Sequence, residues 1–170
     1  MFEFEEECKQ HIEARKWGLL RNVYCSEYIS LKKSNDFEGA LKYLLITLFY
    51  DLSGMGNHNN VSKYDSLKWV FETRLWGDLS LLLKKLNLSD TGLDTIFKDS
   101  ISQCIARPPF SYFNDDIMVL IIIDHLHQHN DLLEKYRPYA NTPKIGSKDY
   151  YFYDDTKSLD YNLKHGLFDK

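Results

Sequence analysis

Cysteine, proline and glycine are scarce in this chain of 170 residues, at 3, 4 and 8 residues. The cysteines, Cys8, Cys25 and Cys104, are odd in number and far apart. That argues against a disulfide scaffold and leaves no CxxC pair for a redox or zinc motif. So few glycines and prolines remove the collagen-like and low-complexity classes. The phosphate-cradling patterns GxGxxG and GxxxxGK(S/T) do not occur. The longest unbroken apolar run, Ile117 to Ile123, has seven residues, against the roughly 20 needed to span a bilayer. The opening MFEFEEEC is acidic where a secretory leader would be basic. A soluble, cytoplasmic protein without a membrane partner is the expectation. Charge of one sign is not in excess either: 21 Lys and Arg against 25 Asp and Glu give −4. No dominant electrostatic grip on nucleic acid follows from that balance.

What is present is an ordinary globular mixture with many aromatics, 12 Tyr and 10 Phe among them. Such a chain can bury enough apolar surface to fold, which sets it apart from disordered sequences. Its length fits one domain.

Apolar residues recur at helical spacing through most of the chain, which predicts an all-α fold. Phe4, Cys8, Ile12, Leu19, Val23, Glu27 and Leu31 approximate one face of a helix over about 3–32, with Tyr24 and Tyr28 beside it. Gly18 within it either bends the segment into two shorter helices or lets a neighbour approach Trp17. Asn35, with Glu38 three residues later, outlines a capping box for the next helix. Phe37, Ala40, Leu41, Leu44, Leu45, Leu48, Phe49 and Leu52 form its broad apolar face, and Gly54 should end it. The turn from Ser34 to Asp36 is so short that the two helices must form an antiparallel hairpin. Ala40 should mark their close crossing.

A third helix is expected from Ser62 to about Leu86, with Gly77 as a candidate break and Asp78 as a cap for the second piece. A fourth starts at Ser89 or Asp90, turns Leu93, Phe97 and Ile101 inward, and stops before Pro108 and Pro109. A fifth, capped by Asn114, should run through the core and continue to Tyr136. From Pro138 onward no helical stripe is visible, and Tyr150, Tyr151, Phe152 and Tyr153 suggest a short strand or an extended arm. The expected architecture is an antiparallel bundle of five or six helices over 1–137, with an irregular aromatic arm over 138–170. That arm should pack on the domain or on a second subunit.

The segment from Asn35 to Asp51 resembles the second helix of a tetratricopeptide repeat. Ala40 matches the repeat's small helix-B residue and Phe37 the aromatic before it. Tyr24, sixteen residues before Ala40, stands where the motif has an aromatic. Tyr28 departs from the motif, which has a small residue there; Thr47 and Leu52 stand where alanine and proline are common. The resemblance covers about 19–52 without a second clean copy. It implies a helical pair used for protein recognition. The string ARKWGLLRN, the hairpin and LFYDLSG are also similar to small proteins of phages and mobile elements of Gram-positive bacteria. That similarity implies action on a host protein.

Chemistry-bearing residues are few. On a continuous helix His125 and His129 share a face and can hold a zinc or other transition-metal ion with ligands from elsewhere. They lack the glutamate of HExxH. This is the basis of an alternative reading as a metal-dependent enzyme. A nucleic-acid-associated regulator is the other alternative. No catalytic residue is assigned and no cofactor is expected. Trp17, Trp69, Trp76 and Tyr150, Tyr151, Phe152 and Tyr153 are candidate interaction residues, because large aromatics anchor interfaces. Phe37, Ala40, Leu44 and Leu48 are read as structural. The favoured reading is a small protein–protein interaction module with a protein partner, homodimerisation being one form of it.

Overall fold

A computed structural model describes residues 2–52, 72–105, 116–129, 131–132, 134, 150–151, 153–165 and 167–168. The fold is all-α. Its helices are α1 (Phe2–Glu13), α2 (Trp17–Lys33), α3 (Phe37–Leu52), α4 (Arg74–Leu86), α5 (Asp90–Ile105), α6 (Asp116–Leu126) and α7 (Leu159–His165). Two strands of two residues each, β1 (Tyr150–Tyr151) and β2 (Leu167–Phe168), complete the described elements. The chain divides into two compact units. One comprises Met1–Asn57 and Val70–Asn114, the other His58–Trp69 and Asp115–Lys170.

The first unit is organised around α3. Seven consecutive residues, Leu44 to Tyr50, are each no more than 1% exposed, as are Ala40 and Leu41. Burial therefore extends beyond the single broad face expected from the sequence and takes in Ile46, Thr47 and Tyr50. The one hydroxyl of the threonine, buried by this arrangement, donates to the Tyr43 carbonyl at 2.8 Å. That bond offsets the cost of burying a polar atom. Helices α2, α4 and α5 all pack against α3, and α1 packs against α2.

Aromatic rings join these elements. Phe4 meets Tyr43 edge-on at 5.5 Å between centroids, Tyr24 lies 5.8 Å from Tyr50, and Phe49 meets Phe97 edge-on at 5.7 Å. Edge-to-face pairs of this kind add about 0.5–1.5 kcal/mol beyond area burial. The α2–α3 hairpin is antiparallel, since Arg21 near the start of α2 reaches Asp51 near the end of α3. Its Nε and Nη2 donate to the two carboxylate oxygens at 2.8 and 2.9 Å.

Helix ends explain most departures from the periodicity. The segment read as one helix over about 3–32 breaks at Ala14–Lys16, before Gly18. The Lys16 amide donates to the His11 carbonyl and the Arg15 amide to that of Ile12, with Arg15 at φ 55°. This is a Schellman turn with arginine where glycine is usual, so the sequence carried no glycine signal for it. The same turn ends α2, with Asn35 at φ 62°. Asn35 thus closes α2 rather than capping α3. The cap is Asp36, whose Oδ1 accepts from the Gly39 amide at 3.1 Å. A Cβ at Gly39 would lie 2.6 Å from Asp36 Oδ2, so the glycine leaves room for the cap.

Helix α4 runs unbroken through Gly77, against the break suggested there. The stretch from Ser62 to Phe71 lies outside the described residues, as do Pro108, Pro109 and Asn114. Ser89 caps α5 as expected, its Oγ accepting from the Gly92 amide at 3.2 Å.

In the second unit, α6 stops at Leu126 instead of continuing to Tyr136. Gln128 takes φ 61° and the His129 amide donates back to the Asp124 carbonyl. The buried Asp124 carboxylate then accepts from the Leu132 amide at 2.9 Å, which holds the reversed chain. Strands β1 and β2 pair antiparallel, Tyr150 opposite Phe168 and Tyr151 opposite Leu167, and β1 packs against α6.

The tail also contains α7, although no helical stripe marks it in the sequence. Its buried edge is only Leu159 and Asn162, and one of those is polar. The asparagine is 2% exposed. Its Oδ1 accepts from the Asp154 amide at 2.6 Å, and its Nδ2 donates to the carbonyls of Asp154 and Ser158 at 2.8 and 2.9 Å. Replacing it strands backbone groups away from water. Asn162→Ala should lower the unfolding free energy by about 1–3 kcal/mol, measured by urea denaturation. An unchanged midpoint and slope would show that this network does not hold the tail.

Candidate functional site

The sequence candidates fall on different elements, some in each of the two units. Trp17 is half-buried at the start of α2 and Trp76 is 7% exposed within α4. Tyr150 and Tyr151 form β1, and Tyr153 is 8% exposed. Trp69 and Phe152 lie outside the described residues. Ala40, Leu44 and Leu48 are fully buried. Phe37 is half-buried with the Lys85 ammonium 4.2 Å from its ring centroid.

His125 is 7% exposed on α6, whereas His129 is exposed beyond the Schellman turn. The continuous helix that would give the two a common face ends before His129. Among the described residues no group of three or more His, Cys, Asp or Glu side chains is arranged to hold a metal ion.

Cys25 lies beside the Arg21–Asp51 pair. Burial pushes its thiol up, against the pull of Arg21. A thiol raised in this way is a poor nucleophile at neutral pH.

One concavity in the first unit lies between α2 and α4. It encloses about 500 Å³ and is lined by Tyr28, Ile29, Lys32, Lys33, Arg74, Leu75 and Asp78. Such a volume is in the range of ligand-accepting clefts, about 300–1,000 Å³. Helical spacing places its parts. Tyr28, Ile29, Lys32 and Lys33 occupy the last two turns of α2, and Arg74, Leu75 and Asp78 the first turn and a half of α4.

The pocket is braced by the Tyr28 hydroxyl, which donates to Asp78 Oδ2 at 2.8 Å. Lys32 Nζ lies 3.8 Å from the same oxygen and 5.8 Å from the centre of the Tyr28 ring. Burial first, and then the hydrogen bond to Asp78, hold the Tyr28 phenol well above its ordinary value of 10. Lys33 and Arg74 are exposed at the rim, and neither has an ion-pair partner among the described residues.

Ile29, on the rim, is 44% exposed. Leu81, 64% exposed, lies seven residues beyond Arg74 on the same stripe of α4.

A second depression of about 490 Å³ lies between α1 and α2 on the other flank of α2. Phe4, Glu7, His11, Leu19, Val23 and Glu27 are among its lining residues. Its charge is opposite in character, with Glu7 3.6 Å from His11 Nε2. Leu19, 47% exposed, lines this second depression together with the exposed Asn22, Ser26 and Ser30 of α2, while Ile29 lines the first. The sequence reading placed Leu19 on the inward face and gave Ile29 no role. Both pockets join residues from separate helices, and no local motif announces them. The chain gives no significant match to protein-family models, curated proteins or solved structures.

The brace makes a prediction. Because the folded state favours the neutral phenol of Tyr28, its contribution is complete below about pH 10 and is lost as pH rises toward the folded-state value. At neutral pH, Tyr28→Phe should cost about 1–3 kcal/mol, as expected for a hydrogen bond to a charged partner. Urea unfolding should show the gap between wild type and variant narrowing above about pH 10. A gap absent at neutral pH would show that the bond contributes nothing.

Proposed function

We propose that this protein is a small protein–protein interaction module that docks its partner on the outward face of α2. The observation that carries this reading is the placement of Ile29 and Leu19. Two large aliphatic side chains stand exposed on one helix, each beside a pocket of about 500 Å³. An exposed apolar residue next to a concavity has the form of an interface core with a polar rim.

The resemblance of α2 and α3 to a tetratricopeptide hairpin supports the same reading, since such hairpins present helix faces to other proteins. The similarity to small phage and mobile-element proteins makes a host protein the proposed partner class.

The direct test places a photo-crosslinking amino acid at Ile29 and, as a control, at the exposed Thr91 on α5. Irradiation in the native cell should yield a discrete protein adduct from position 29 and not from 91. Ile29→Glu should then abolish co-purification of that same protein. Equal adducts from both positions, or none from 29, would refute docking on this face.

A further inference from the structure

We infer that the pocket between α2 and α4 receives an acidic peptide segment that carries an apolar anchor residue. This rests on the interaction-module reading and specifies the chemistry of the partner. The pocket's apolar lining is Tyr28 and Leu75, with Ile29 at the rim. Its cations outnumber its acids: Lys32, Lys33 and Arg74 stand against Asp78 alone. Asp78 is already engaged by the Tyr28 hydroxyl, with Lys32 close by. Lys33 and Arg74 therefore keep uncompensated charge at the mouth of an apolar cavity, in a chain whose net charge is −4.

The cavity and the charges impose a division of labour. An aliphatic or aromatic side chain packs on the apolar lining, and flanking carboxylates meet the rim. Arg74 offers a planar fork suited to a carboxylate, and Lys33 a mobile point charge. Rim charges of this kind set partner choice and association rate more than total affinity. A nucleic acid is the weaker fit, for two reasons. Three cations neutralise few phosphates. The depression on the other flank of α2 is also lined by Glu7 of α1 and Glu27 of α2, which repel a polyanion.

The test is a titration of the isotope-labelled full-length protein followed by amide NMR. The probes are acetyl-Glu-Glu-Leu-Trp-Glu-Glu-amide, the same peptide with its four glutamates replaced by lysine, and a ten-residue oligothymidylate. The acidic peptide should shift the amides of Ile29, Lys33, Arg74 and Leu75, and the lysine peptide should bind at least about tenfold more weakly. The doubly charge-reversed protein, Lys33→Glu with Arg74→Glu, should invert that preference. If its spectrum shows a loss of fold, the milder Lys33→Gln with Arg74→Gln should abolish the preference. Equal binding of the two peptides, no shifts at these residues up to millimolar peptide, or tighter binding of the oligothymidylate would each overturn the inference. Because the crosslink from Ile29 is scored separately, a discrete adduct alongside a failed titration would discard the acidic-peptide chemistry and leave the docking face standing.

Discussion

A helix that is apolar around its whole circumference has to be covered around its whole circumference. That constraint falls on α3, where Leu44 to Tyr50 are all buried. Helices α2, α4 and α5 supply the cover, and α1 is held in turn by the Phe4 ring on Tyr24 and Tyr43. Each large apolar side chain buried there contributes about 1.5–3 kcal/mol before ordering entropy is counted. The polar groups drawn inside are satisfied locally: Thr47 bonds to the Tyr43 carbonyl and Ser100 to the Ile96 carbonyl at 2.7 Å. The pocket between α2 and α4 is a consequence of this arrangement. Two helices that both pack on α3 leave a cleft where their outer faces diverge, and the Tyr28–Asp78 bond joins its two walls.

The all-α character was legible because hydrophobic spacing of three and four residues runs through α2 to α5. The hairpin was legible because three residues between two helices leave the chain no other route. Helix ends were less so. Arg15, Asn35 and Gln128 all adopt the left-handed conformation that glycine usually marks, and none of them is glycine. The reading therefore ran α1 into α2 and carried α6 past Leu126. Gly18 and Gly77, which looked like punctuation, sit inside continuous helices with open space beside them. Helix α7 carries no sequence stripe because its inward edge includes an asparagine whose amide replaces apolar packing with hydrogen bonds to the backbone.

The candidate site was the least legible part. Tyr28 and Asp78 are 50 residues apart, and their pairing depends on how α2 and α4 each pack on α3. The individual signals are present but ambiguous: Tyr28 reads as a neighbour of a helix's apolar face and a departure from a repeat motif, and Asp78 as a cap. Lys33 and Arg74 are informative only together, at one rim and without an ion-pair partner among the described residues. The shared face of His125 and His129 assumes a helix continuing through Gln128, where the backbone turns, and the Leu132 amide beyond the turn donates to Asp124.

The central claim is that α3 is the element on which the first unit depends. Native-state amide hydrogen exchange tests it most directly, because it reads the free energy of opening residue by residue. The amides from Leu44 to Tyr50 should be among the slowest in the protein, exchanging only through global unfolding. The ends of α1 and α7 should exchange far faster. Exchange of the Leu44–Tyr50 amides as fast as those helix ends would show that α3 opens on its own, and would contradict the account.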